Sequence, residues 1–194
     1  MPLDAYNNLD DDALLQRYAQ GDAAAARALT QRLTPKVFAH ALRVLGDRAE
    51  AEDVAQDALM RLWKIAPKWR MGEAKVTTWL YRVTANLCTD RLRQKRGVGL
   101  DEIAEPLDPA PSVQAQMEAR ERMDALSAAL QKLPERQRQA VVLRHIEGLA
   151  NPEIAEILEI STEAVESLTA RGKRALAQAL APARAKLGYQ DDKI

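Results

Sequence analysis

Apolar residues recur along this chain at intervals of three and four and almost nowhere in alternation. That spacing predicts helices nearly throughout. Asp12 to Gln20 reads as a short amphipathic helix that stops before Gly21, and Asp22 can N-cap the AAAARALTQRL that follows. Thr34-Pro35 predicts a restart, since Thr caps well and Pro is tolerated at the first helical position. This helix runs to Leu45 and stops at Gly46. Asp47, with Glu50 three residues on, resembles a capping box for a helix ending at Ile65 or Ala66, before Pro67. PKWRMGEAKV has no helical period and reads as a loop; Thr77 or Thr78 then caps a long helix to about Arg96. Helical spacing returns over Val113 to Leu133, from Pro134 to Gly148, from an Asn151-Pro152 cap to Leu158, and from a Ser161 cap to about Leu180. With no strand pattern and no repeat, the expected fold is all-α. Two small helical domains, 1–96 and 113–194, are joined by a linker over 97–112.

Composition sharpens that division. The linker GVGLDEIAEPLDPAPS holds three prolines and four carboxylates without periodicity, and reads as a flexible acidic spacer. The net charge of zero hides an asymmetry. Met1 to Arg96 has 16 basic and 12 acidic residues, Gly97 to Arg120 has 1 and 5, and Glu121 to Ile194 has 11 of each. No apolar run approaches the roughly 18 residues of a membrane span. MPLDAYNNLDDDAL lacks the basic and apolar regions of a secretory signal, so a cytoplasmic location is expected. One cysteine, Cys88, makes no internal disulfide, and with only His40 and His145 beside it no zinc site or other cofactor is implied. Cys88 reads as a small buried residue. No nucleophile–base set or Gly-rich phosphate loop points to an enzyme.

The strongest local motif is Asn151 to Leu168, NPEIAEILEISTEAVESL. Two helices are joined by a three-residue turn, with Ile154, Leu158, Ile160, Val165 and Leu168 as the shared apolar set and small Ala155 at the crossing. This is helix-turn-helix spacing, in which the first helix braces a second that can enter a major groove about 12 Å wide. The second helix begins at Ser161 and Thr162, and its outer face offers Glu163, Glu166, Ser167, Ala170, Arg171, Lys173 and Arg174. A helical hairpin that packs a small core without touching DNA has the same apolar spacing. Glu163 and Glu166 repel phosphate, although Glu can accept from a cytosine amino group. Glu159 occupies a turn position where Gly would relieve an αL strain of about 1 kcal/mol.

In the amino-terminal half, Ala51, Val54, Ala55, Ala58, Leu59, Leu62 and Ile65 form a core stripe. Asp53, Gln56, Asp57 and Met60 fall on another face, at i, i+3, i+4 and i+7. They suit docking to a basic protein, although periodicity alone favours a solvated helix surface.

Taken together, DRAEAEDVAQDALMRLWK, then TTWLYRVTANLCTDRLRQKR, then LPERQRQAVVLRHIEGLANPEIAEILEISTEAVESL resemble a bacterial RNA polymerase sigma factor of the compact, two-domain extracytoplasmic-function class. The resemblance spans about Asp12 to Leu180. It implies a transcription initiation factor whose domain 1–96 is region 2 and whose domain 113–194 is region 4. Asp53, Gln56, Asp57 and Met60 would then face the β′ coiled coil of core polymerase, where charge complementarity governs orientation and on-rate. Lys68, Trp69, Arg70, Arg82, Asn86, Asp90, Arg93 and Lys95 would serve the promoter −10 element, with the loop from Lys68 to Val76 holding a flipped base and Trp69 stacking on it. Arg91, Arg93, Lys95 and Arg96 would add phosphate contacts, while Trp63 and Trp79 read as core. Ser161, Thr162, Glu166, Ser167, Arg171, Lys173 and Arg174 would serve the −35 element, and the carboxy-terminal domain would reach the β flap. Asp101, Glu102, Glu105 and Asp108 would thread toward the polymerase cleft, mimicking nucleic acid, or act as a plain spacer. An anti-sigma factor is the further partner the class implies.

The recognition helix departs from the family's frequent T-V-K-S-R-L-S-R-A-R. Here AVESLTARGK puts Glu166 for the usual Lys and Leu168 for the usual Arg, which predicts weaker intrinsic DNA affinity. Two rivals are an ordinary helix-turn-helix regulator that binds duplex without polymerase, and a protein that sequesters another factor. Promoter-dependent transcription separates both from a sigma factor.

Overall fold

A computed structural model describes residues 6, 8–72, 74–98 and 115–186. Among these residues the fold is helical without strands. Helices α1 (Asp11–Ala19), α2 (Ala23–Leu45), α3 (Arg48–Ile65) and α4 (Val76–Val98) build the amino-terminal half; α5 (Ala115–Gln131), α6 (Glu135–Val141), α7 (Asn151–Leu158) and α8 (Thr162–Lys186) build the other.

Short acceptor side chains set the helix starts. Asp10 takes the Ala13 N–H at 2.7 Å, Asp22 those of Ala24 and Ala25 at 2.9 and 3.2 Å, Asp47 that of Glu50 at 3.1 Å, and Ser161 that of Ala164 at 3.2 Å. At Asp47 only half of the expected capping box forms, because the Glu50 carboxylate turns to Arg91 on α4. Five boundaries differ from expectation. No restart occurs at Thr34-Pro35: α2 is continuous, with Pro35 exposed inside it. Its buried face, including Leu29, Leu33, Val37 and Ala41, continues across the proline, so packing outweighs one lost backbone bond on the solvent side. α4 starts at Val76, ahead of the threonines. Asn151 is the first residue of α7 and not its cap; the Glu153 carboxylate instead takes the Ala150 N–H at 3.1 Å. After Val141, α6 widens into a π-helical turn over Val142–Ile146. α8 runs past Leu180 to Lys186. The linker expected over 97–112 overlaps α4 to Val98 and otherwise lies outside the described residues.

The amino-terminal core is built around Leu14, Leu29, Leu33, Val54, Leu62 and Leu80, with Trp63 and Trp79 packed on its edge. Leu130, Leu133, Val141 and Val142 form a second cluster under α8. Gly172 makes the α6–α8 crossing possible: a Cβ there would lie 2.5 Å from the Val141 Cγ2 and 3.1 Å from the Gln137 carbonyl oxygen. A third cluster joins the halves, burying Tyr81 and Ala85 of α4 with Leu143, Ile154, Ile157 and Val165.

Candidate functional site

α3 packs against α2 and α4 through its buried stripe, which leaves its opposite face to solvent. Asp53, Gln56 and Met60 are exposed there and Asp57 is half-exposed. The acidic face is not a bare patch. Arg91 of α4 reaches across to Glu50 at 2.8 Å and lies 3.8 Å from both Asp53 and Asp57. Lys95 sits 3.1 Å from Asp47 and 3.9 Å from Glu50. Arg91 and Lys95, expected to seek phosphate, are therefore engaged by α3 in this arrangement.

Asn86, Asp90 and Arg93 are exposed along α4 and line a crevice of about 910 Å³. Its facing wall is Glu135, Arg136 and Gln139 of α6 and Leu158 and Glu159 at the end of α7. Arg82 is half-buried on the same helix, whereas Lys68 and Arg70 are exposed at the start of the α3–α4 connection. Trp69 sits differently from expectation. Its indole N–H donates to Asp12 at 2.9 Å and its ring meets Trp79 edge-on at 6.0 Å, so stacking on a base requires the ring to leave both.

The helix-turn-helix has the expected geometry. α7 and α8 are joined by Glu159, Ile160 and Ser161, and Glu159 is the one non-glycine residue at positive φ among the described residues, at φ 52 and ψ 49. Ser161, Glu166, Ser167, Arg171, Lys173 and Arg174 share solvent exposure along α8; Thr162 is partly covered. The Arg171 guanidinium is folded back onto the Ser167 hydroxyl at 2.7 Å, and Arg174 donates to the Ala170 carbonyl at 3.4 Å. Asn151 reaches Glu166 at 3.5 Å, so the substituted glutamate faces the first helix of the motif. α8 thus presents three cations beside one carboxylate, with Glu163 exposed at its start.

The sequence reading missed the surface between the halves. Arg43 of α2 pairs with Glu147 at 2.9 Å, and the Tyr81 hydroxyl donates to the other oxygen of the same carboxylate at 2.8 Å. Burial first, and then Glu147, raises the Tyr81 pKa, which keeps its hydroxyl a donor. The carboxy-terminal half also caps α2. Gln131 donates to the Arg43 carbonyl at 3.1 Å, and the Arg138 guanidinium donates to the Val44 carbonyl while holding the Gln131 and Leu133 carbonyls at 3.0 and 3.1 Å. The Arg43 and Val44 carbonyls belong to the last turn of α2, where no intrahelical donor exists. Gly46 closes that helix at φ 71, and a Cβ there would meet the Gln131 Cδ at 2.7 Å, so both conformation and close approach require glycine. Gln139 bonds Thr89 at 3.1 Å, and Lys75 pairs with Glu153 at 3.3 Å. One signal was present in the sequence. Tyr81 and Ala85 at i, i+4 widen the apolar arc of α4 beyond what one core needs.

Two buried groups complete the picture. His40 is wholly buried, its ring edge-on to Tyr81 at 5.3 Å with neither nitrogen hydrogen-bonded. Burial, aided by Arg43, pushes its pKa down to about 3, so it stays neutral. Burial pushes the Cys88 thiol up to about 12, which keeps it protonated and unreactive. Among the described residues no group of three or more His, Cys, Asp or Glu could hold a metal, and no helix is long and apolar enough to cross a membrane.

Comparison with known proteins follows the same two-part division. Residues 29–98 match the family described as Sigma-70 region 2, and residues 123–176 match Sigma-70, region 4. The chain is 31% identical over 183 residues to RNA polymerase sigma-H factor of Pseudomonas aeruginosa, covering 89% of this chain and 94% of that one. It is 32% identical over 172 residues to ECF RNA polymerase sigma factor SigM of Mycobacterium tuberculosis, covering 88% and 84%. Among solved structures, the sigma factor RpoE in complex with the anti-sigma factor NepR, from Bartonella quintana, has a similar fold. Its TM-score is 0.64 at 24% identity, over 78% of this chain and 93% of that one.

Proposed function

Because the chain belongs to the extracytoplasmic-function class of the sigma-70 family, we propose that it directs core RNA polymerase to promoters in three separable steps. It docks on polymerase through Asp53, Gln56, Asp57 and Met60 of α3, against the basic side of the β′ coiled coil. It reads the −10 element with Asn86, Asp90 and Arg93 on α4, assisted by Arg82, Lys95 and the connection carrying Lys68, Trp69 and Arg70. It reads the −35 element with Ser161, Thr162, Glu166, Ser167, Arg171, Lys173 and Arg174 at the start of α8, while the carboxy-terminal half meets the β flap. Residues 1–96 and 113–194 are the two working domains and 97–112 their linker. The protein works by binding, not by catalysis, in the cytoplasm beside polymerase.

The observation that carries this reading is the pairing of two family regions, in the right order, with exposed binding faces on α3 and α8 of one chain. The closed arrangement adds a step. Tyr81 and Ala85 lie under α7, and Glu135 and Glu159 face Asn86 and Asp90 across the crevice. A single strand entering there meets carboxylates. The α3 face stays open, so polymerase can capture the closed form before the halves part to span the promoter. An anti-sigma factor that grips both halves would hold them shut.

The test is run-off transcription with bacterial core polymerase on a library of promoter fragments. Wild type gives specific start sites; a Asp53→Lys/Asp57→Lys variant that remains folded gives none. Transcripts that persist with the variant overturn the docking assignment. Absence of both transcripts and polymerase binding with wild type overturns the reading as a whole.

A further inference from the structure

Arg91 stands out once the faces are assigned, because it comes from the −10 helix yet points at the polymerase face. Its guanidinium is anchored by Glu50 at 2.8 Å, a bond with 29% and 25% of the two side chains exposed. The Nη1 that bonds Glu50 also lies 3.8 Å from Asp53, and Nη2 lies 3.8 Å from Asp57; those two side chains are 64% and 50% exposed. Those two distances exceed hydrogen-bond length. The aspartates therefore keep their acceptor sites free, while their charge is offset by a fixed cation. Among the described residues, the four carboxylates Asp47, Glu50, Asp53 and Asp57 share the cations Arg91 and Lys95 in this network. Arg48 is spent on Glu52 at 2.8 Å.

We propose that Arg91 is a built-in counter-charge that keeps the α3 face below its full attraction for a basic protein surface, and so sets how fast the chain captures polymerase. The proposal rests on the assignment of α3 as the polymerase-docking face. Association steered by charge responds to each unit of charge near the contact and fades with salt. An arginine held between two exposed aspartates takes away part of the field the partner feels. The partner's basic side chains must share those carboxylates with Arg91 or displace it.

The experiment measures association of the full chain with immobilised bacterial core polymerase, from low to high salt. Arg91→Gln is expected to raise the association rate about two- to fivefold at roughly 0.05 M salt, with the gain gone by about 0.5 M. Arg91→Lys, which keeps the charge, stays near wild type. In an Asp53→Asn/Asp57→Asn background, Arg91→Gln gives no gain. A merely structural role for Arg91 predicts slower association in either background. If Arg91→Gln does not fold, Arg91→Met, which keeps the aliphatic stem, is read in the same assay. An unchanged or slower rate for the folded variant overturns the proposal; weakened promoter binding with that rate unchanged makes Arg91 a phosphate contact. Asp53→Lys/Asp57→Lys separates the two levels. If it still binds polymerase at the wild-type rate, the docking assignment itself fails. If it loses binding while Arg91→Gln is inert, only the counter-charge fails.

Discussion

Glu147 ties the carboxy-terminal half to both α2 and α4, and its removal tests the closed arrangement. In Glu147→Ala the Arg43 guanidinium and the Tyr81 hydroxyl lose their shared carboxylate. Breaking a buried ion pair by deleting one partner costs about 3–5 kcal/mol. Here the side chains keep 28% and 12% of their exposure, so water recovers part of that, and we take about 2 kcal/mol for the pair. The tyrosine bond adds about 1 kcal/mol. The sum, about 3 kcal/mol, shifts the closed-to-open ratio roughly a hundredfold. Binding that requires the open form has its apparent affinity reduced to the fraction that is open. Free Glu147→Ala protein is therefore expected to bind single-stranded −10 DNA, taken from a mapped promoter, up to about a hundredfold more tightly than wild type. Its radius of gyration in solution scattering should rise. Tyr81→Phe removes only the hydroxyl bond and should give about a fivefold gain. Unchanged affinity and unchanged radius in Glu147→Ala would show that the Glu147 contacts do not set the closed state, and the step in which the halves part would fall with them.

Three further outcomes follow from packing and protonation. His40 has a folded pKa of about 3 against about 6.5 when unfolded, so between those values the unfolded chain carries a proton that the native chain does not. Stability is then full above pH 6.5 and falls as pH drops, by about 2 kcal/mol at pH 5. Urea titrations followed by tryptophan fluorescence should show His40→Leu losing about that much less between pH 7 and 5, since Trp63, Trp69 and Trp79 all report on the amino-terminal half; equal pH dependence refutes the buried neutral imidazole. Gly172→Ala drives a methyl into Val141 and should destabilise the carboxy-terminal half by about 1–3 kcal/mol, read by calorimetry. Glu159→Gly relaxes the αL turn and should leave stability unchanged or raise it by up to about 1 kcal/mol, since glycine's greater unfolded-state freedom opposes the gain; a clear loss would mean that the Glu159 side chain contributes something beyond the turn.

Legibility in the sequence tracked the range of the interaction. Caps at Asp22, Asp47 and Ser161 were readable because donor and acceptor lie within three residues. The α3 stripe and the αL turn at Glu159 were readable because periodicity and φ are local. Pro35 was misjudged for the same reason: a local rule predicts a break, and the continuous buried face of α2 overrides it. The closed interface was invisible because its bonds join residues 104 and 94 positions apart, as in Arg43–Glu147 and Arg138–Val44. No spacing rule reaches that far. The same limit explains Arg91. Read along its own helix it belongs with Arg93, Lys95 and Arg96 in a basic run fit for phosphate; read across to α3 it belongs to the acids. Charge in a helical protein is assigned to a function by the neighbouring helix as much as by its own. On the proposal above, that neighbour turns an apparent DNA contact into a moderator of the face proposed to dock polymerase.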